Sequence, residues 1–100
     1  DYQNIAVNGM RSGPLADQLV NTTSRTHDLD APALVFYSEV ANDVCNPHND
    51  TISRMTTPSE YKTNVMSALK QLDAKLPKGS TVVFLGYLHG EMYYDVMHNK

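Results

Sequence analysis

Gly9 and Asn42 are the two positions whose chemistry could converge on a single atom. Asn42 carries a side-chain amide with two N–H donors. Gly9 offers a backbone N–H that no Cβ obstructs. Two neutral donors aimed at one point suit an oxygen that gains charge during acyl transfer, where losing one donor typically costs about 10²–10³ in rate. Each residue follows a segment that reads as a strand, in "YQNIAVNG" and "ALVFYSEVANDVCN". The competing reading of Asn42 and Asp43 is an Asx-type turn leaving a strand. Asp95 and His98 stand in Asp-x-x-His spacing and form a candidate acid–base pair, since geometry rather than spelling defines a triad. Ser12 stands where a helix cap is expected, and Ser38 is expected inside a strand. His27, His48 and His89 lack partners at metal-ligand spacing, so no metal is expected. "NGMRSG" departs from the G-x-G-x-x-G order of a dinucleotide site, and no acidic residue ends the second strand, so no cofactor is expected either.

The elements that must position these groups alternate. "YQNIAVN" (2–8) reads as a short strand closed by Gly9. "SGPLADQLVNTTSR" (12–25) reads as a helix, with Pro14 in its first turn and Leu15, Leu19 and Val20 on one face. "APALVFYSEV" (31–40) is a near-continuous apolar run, as a strand buried on both faces requires. After a loop, "TPSE" (57–60) is a capping box with proline at the first helical position. Tyr61, Val65, Leu69, Leu72 and Leu76 then form one apolar stripe, ended by Pro77 and Gly79. "STVVFLGYL" is the third strand, and "HGEMYYDVMHNK" leads out of it. Strands alternating with helices imply a parallel sheet in an α/β layer architecture. Ligands collect at the carboxyl edge of such a sheet, where residues distant in sequence meet.

At 100 residues the chain is at most one small domain, and 41% hydrophobic residues suit a globular core. A net charge of −3, with only eight scattered Lys and Arg, leaves no footprint for nucleic acid or a membrane surface. The apolar runs fall short of the roughly 20 residues of a transmembrane segment. The start at "DYQNIAVNG", as if inside a strand, and the end at "VMHNK" suggest a piece of a longer protein. The remainder of the same polypeptide is then its first expected partner. Cys45, the single cysteine, is either a buried thiol or half of a bridge with a partner elsewhere. Asn21 and Asn49 open N-x-[ST] sequons and are glycosylation candidates in a secreted chain.

"IAVNGMRSG" is similar to the second conserved block of the SGNH (GDSL-type) hydrolases, and "VANDVC" resembles the third. The resemblance implies a three-layer flavodoxin-like parallel sheet in strand order 2-1-3-4-5. This chain would be an incomplete fragment of it, with about three strands and two main helices. Residues 1–100 would be the central part of a single domain, lacking the first strand with its nucleophile and the C-terminal part. The resemblance further implies that Gly9 and Asn42 are oxyanion donors, that Asp43 supports the loop, and that Cys45 is a disulfide half. The implied activity is that of a serine esterase or lipase that cleaves fatty-acyl esters through an acyl-enzyme. The "MTTPSEYKTNVMSALKQLDAKLPKGS" and "LHGEMYYDVMHN" stretches look like the secreted or lysosomal members that remove secondary acyl chains from bacterial lipopolysaccharide. An acylated, lipopolysaccharide-like lipid is then the implied substrate.

Departures from the family pattern are specific. Ala41 stands where the family usually has glycine; a left-handed backbone there would cost alanine about 1 kcal/mol or more. No Gly-Asp-Ser occurs, so the fragment alone is expected to be inactive. The family's Asp-x-x-His pair comes after further strand–helix units and is commonly followed by proline, where this chain has Asn99. Two rival readings remain at this point: a non-catalytic α/β module binding a ligand or partner at the same rim, and a flavodoxin-like nucleotide-binding domain.

Overall fold

The computed structural model describes residues 2–18, 20–23, 31–45, 49–50, 52–86 and 95–97. Helix α1 spans Ser12–Gln18, followed by a 3₁₀ turn at Val20–Thr22. Strand β1 (Leu34–Tyr37) leads through Ser38 and Glu39 into the one-turn helix α2 (Val40–Val44). A second 3₁₀ turn, Ile52–Arg54, precedes the long helix α3 (Pro58–Lys75), and β2 (Thr81–Phe84) follows.

Local chemistry accounts for α3. Thr57 caps it reciprocally: its Oγ1 accepts from the Glu60 N–H, while the Glu60 side chain accepts from the Thr57 N–H at 2.8 Å. Pro58 loses nothing at the first position, where its missing N–H would have no helical partner. At the other end the Lys75 ammonium donates to the carbonyls of Asn21 and Thr23, fastening α3 to the turn after α1. The expected stripe faces inward. Ala68 and Leu72 are buried, with Val65, Leu69 and Leu76 packed around them. They meet Val20 and Tyr37, and Val35 and Val82 complete the contact with the sheet.

The sheet has two strands, paired in parallel from Leu34↔Thr81 to Tyr37↔Phe84. Paired residues of parallel strands share a face, and successive residues alternate. Val35, Tyr37, Val82 and Phe84 therefore lie on the α3 side, where the Tyr37 and Phe84 rings stack at 4.9 Å. The parallel α/β arrangement is the expected one, but one expected strand is missing and three boundaries differ, among them that of the third strand, which stops at Phe84 with Leu85 and Gly86 outside it.

Residues 2–7 form no strand. A strand exists only through its ladder, and no described segment pairs with this one. It does not pair with β1 either, whose described partner is β2. The second strand stops at Tyr37, so Ser38 lies just beyond it and is exposed. The first helix is described over Ser12–Gln18, and a 3₁₀ turn occupies Val20–Thr22 where the helix was expected to run on to 25; Leu19, which was expected on its apolar face, lies outside the described residues.

Candidate functional site

Asn42 and Asp43 do not end a strand. They occupy α2, which turns the chain sharply after β1 and aims successive side chains at the loop before α1. The Asn42 Nδ2 donates to the Met10 carbonyl at 2.8 Å. Asp43 is buried and takes two hydrogen bonds from one residue: Ser12 N–H to Oδ2 at 2.9 Å and Ser12 Oγ–H to Oδ1 at 2.6 Å. Both side chains reach more than thirty residues back along the chain, so the local Asx turn is not what they form. Ser12 is the first residue of α1 rather than its cap, and the Asp43 carboxylate satisfies its orphan N–H. Asn64, on α3, donates to the Ser12 Oγ at 3.0 Å and closes the cluster. Fully buried, with its hydroxyl proton given to a carboxylate, Ser12 is placed for architecture and not for attack.

Gly9 lies in a turn closed by Met10 N–H donating to the Val7 carbonyl at 3.1 Å. Its φ of +76° is the left-handed conformation that glycine alone adopts without penalty. It is exposed, and no described residue accepts from its N–H. The bond from Asn42 to Met10 therefore holds a carboxamide against the residue next to an accessible main-chain donor. Ala41 carries no strain, because no described residue other than glycine has a positive φ. Cys45 caps the C-terminus of α2 and is exposed in this stretch of chain.

Arg11 is the residue that inspection of the sequence missed. Its Nη2 donates to the carbonyls of Asp43 and Arg54 and to the Thr56 Oγ1 at 2.8 Å. The Thr56 N–H donates to the same Asp43 carbonyl at 2.9 Å. No motif marks such an arginine, since two of its three acceptors are backbone atoms. An open depression of about 380 Å³ lies beside it, toward Arg54, Met55, Glu60 and Asn64; neither Gly9 nor Asn42 lines that depression.

Titration in this region is set by burial and by neighbouring acids. Burial is the main reason the Glu39 carboxyl is raised, with Asp43 adding to it. Burial likewise raises the Tyr37 and Tyr61 hydroxyls, which meet no hydrogen-bond partner among the described residues. In contrast, the Thr57 hydroxyl and amide hold Glu60 below the usual carboxylate value.

The family model for GDSL-like lipases/acylhydrolases matches residues 1–88. The chain belongs to that family. It is 42% identical over 100 residues to the acyloxyacyl hydrolase of Homo sapiens, 42% over 101 residues to that of Oryctolagus cuniculus, and 41% over 100 residues to that of Mus musculus. All of the chain is covered in each case, and it spans 17% of the length of these curated relatives. The two-stranded parallel sheet with its helices is a partial α/β unit of the GDSL-like fold.

The other candidate positions of this GDSL-like chain are less developed. Asp95 is exposed in a helical turn over 95–97, while His98, His27, His48 and His89 lie outside the described residues. Among the described residues no group of three or more His, Cys, Asp or Glu could hold a metal ion. No described helix is long and apolar enough to cross a membrane. Asn21 and Asn49 are both exposed.

Proposed function

We propose that residues 1–100 form the central part of a single SGNH hydrolase domain and supply the oxyanion hole of a serine carboxylic-ester hydrolase. The observation that carries the reading is the 2.8 Å bond from Asn42 Nδ2 to the Met10 carbonyl. A carboxamide has two N–H groups. Met10 takes one, and the second remains for a substrate oxygen shared with the Gly9 N–H. In the whole protein a serine outside these residues attacks the ester carbonyl and gives its proton to a histidine. The carbonyl oxygen becomes negative in the tetrahedral intermediate and accepts from both donors. Collapse expels the alcohol, which takes the proton from the histidine, and water then hydrolyses the acyl-enzyme. Asp43 acts through the loop and does not react.

The name carried by the similar proteins, acyloxyacyl hydrolase, supports a fatty-acyl ester borne on another acyl chain as the bond cleaved. A lipopolysaccharide-like lipid is the substrate class that fits. A secreted or lysosomal setting suits the exposed sequon asparagines Asn21 and Asn49. With no Gly-Asp-Ser in it, the 100-residue chain by itself is expected to be inactive. Asp95 and His98 remain a weaker proposal for the acid and base.

The test is Asn42→Ala in the full-length protein, assayed for fatty-acid release. The expected loss is about 10²–10³ in kcat with little change in KM. Activity within a few-fold of the parent would refute the assignment.

A further inference from the structure

Gly9 sits in an exposed turn at φ +76°, and without a Cβ its backbone can adopt other conformations at little cost. A donor there is useful only if the turn is fixed relative to Asn42. Three consecutive residues do the fixing. Met10 receives the Asn42 carboxamide, Ser12 is bound twice by Asp43, and Arg11 lies between them. Arg11 differs from its neighbours in reach. Its Nη2 meets the Asp43 carbonyl of α2 together with the Arg54 carbonyl and Thr56 hydroxyl of the loop before α3. Its Nε is buried without an acceptor, and among the described residues no carboxylate forms an ion pair with the group. The charge is held chiefly by these three oxygens, with the Glu60 carboxylate near enough to interact with it but not to form an ion pair.

We propose that Arg11 is a positioning residue for the oxyanion hole: by tying the Gly9–Ser12 loop to α2 and to residues 54–56, it sets the separation between the Gly9 N–H and the Asn42 carboxamide. The inference rests on the function proposed above and goes beyond it, since Arg11 touches no substrate.

The experiment is a double-mutant cycle in the full-length protein, with kcat expressed per site titrated by a serine-directed phosphonate, so that unfolded molecules do not count. Arg11→Met keeps the apolar stem and removes the donors. It is expected to lower kcat about 10–100-fold, the scale of a misplaced catalytic group, with KM nearly unchanged. Arg11→Lys, which restores charge and donors on a shorter stem, should recover part of the loss. In an Asn42→Ala background, Arg11→Met should cost no more than about twofold, because coupled residues are not additive.

Full activity of Arg11→Met, or an equal loss in both backgrounds, overturns the role of Arg11. Should Arg11→Met not fold, Thr56→Val removes one acceptor and must show a smaller loss that also vanishes in the Asn42→Ala background; a loss that persists there overturns the proposal. The two readings fail differently. A silent Asn42→Ala defeats the oxyanion assignment itself. A damaging Asn42→Ala with additive Arg11 effects leaves that assignment standing and removes only Arg11.

Discussion

Around Asp43 the chain has matched its polar groups closely: both carboxylate oxygens, its carbonyl, and the Ser12 hydroxyl all have partners. One strand away, Leu34 and Phe36 are 60% and 67% exposed. The two regions are joined by β1, yet they answer to different requirements. The loop cluster is closed by hydrogen bonds between segments that are all within the chain: the 9–12 loop, α2, the 54–56 loop and α3. A sheet is closed by its neighbours, and here one edge of β1 and the whole face bearing Leu34 and Phe36 have none among the described residues. Among the described residues the loop cluster is thus tied on several sides, the Arg11 Nε apart, while the sheet is covered on one face only. Directional bonds can fix a loop without a finished core, whereas apolar surface is stabilised only by being covered.

The sharpest way to break this contrast is to remove the centre of the cluster. Asp43→Ala leaves the Ser12 N–H and hydroxyl buried without their acceptor, and each such orphan costs about 1–3 kcal/mol. An overall loss of about 2–4 kcal/mol is expected in urea unfolding of the full-length protein. Asp43→Asn, which keeps one acceptor, should lose less than half of that. If Asp43→Ala costs under 0.5 kcal/mol, in the range of an ordinary surface change, the cluster is not what closes this region.

What could be read beforehand divides along the same line. The capping box, Pro58 and the stripe from Tyr61 to Leu76 specify α3 through contacts within a turn or two, so its start was legible to the residue. Gly9 was legible as the end of its segment, though not as a turn. The strand expected over 2–8 was not, because its identity depends on a neighbour that pattern alone does not supply. The short helix α2 escaped notice, since five residues carry no periodicity worth reading. Asn42 and Asp43 could be singled out as candidates, but their partners Met10 and Ser12 could not. Arg11 was invisible, its acceptors lying 32 to 45 residues away and consisting mainly of backbone carbonyls.

A second, smaller perturbation tests whether α3 depends on the cluster or on its own cap. Thr57→Ala removes the hydroxyl's bonds with Glu60, while the backbone N–H at position 57 can still donate to the carboxylate, and should cost about 1 kcal/mol, as N-cap deletions do. Its pH dependence has a definite sign. The Thr57 hydroxyl bond, then its backbone N–H, lowers the folded-state value of Glu60 below 4.5. The native state therefore binds this proton less readily than the unfolded chain. The associated stability is present above pH 4.5 and is lost as the pH falls through the lowered value. The gap between parent and Thr57→Ala should accordingly be widest near neutrality and shrink at pH 3. A gap that does not change with pH would place the cap's contribution elsewhere.

The smallest effect is expected where the sheet is open. Phe36 pairs with Val83 on the face away from α3 and packs against no buried residue of the core. Replacing it with Ser removes a large ring from water and leaves the described contacts intact. In the 100-residue chain the stability change should stay within about 0.5 kcal/mol, as for other exposed positions. The same substitution in the full-length protein reads a different quantity. If the chain is the middle of a layered domain, Phe36 is covered there, and truncation of a buried aromatic ring costs about 3–5 kcal/mol. A near-zero effect in both settings would mean that the face stays wet in the whole protein, and that a three-layer sheet around these strands is the wrong expectation. The difference between the two measurements, more than either alone, tells whether the openness belongs to the protein or to the stretch of it described by residues 1–100.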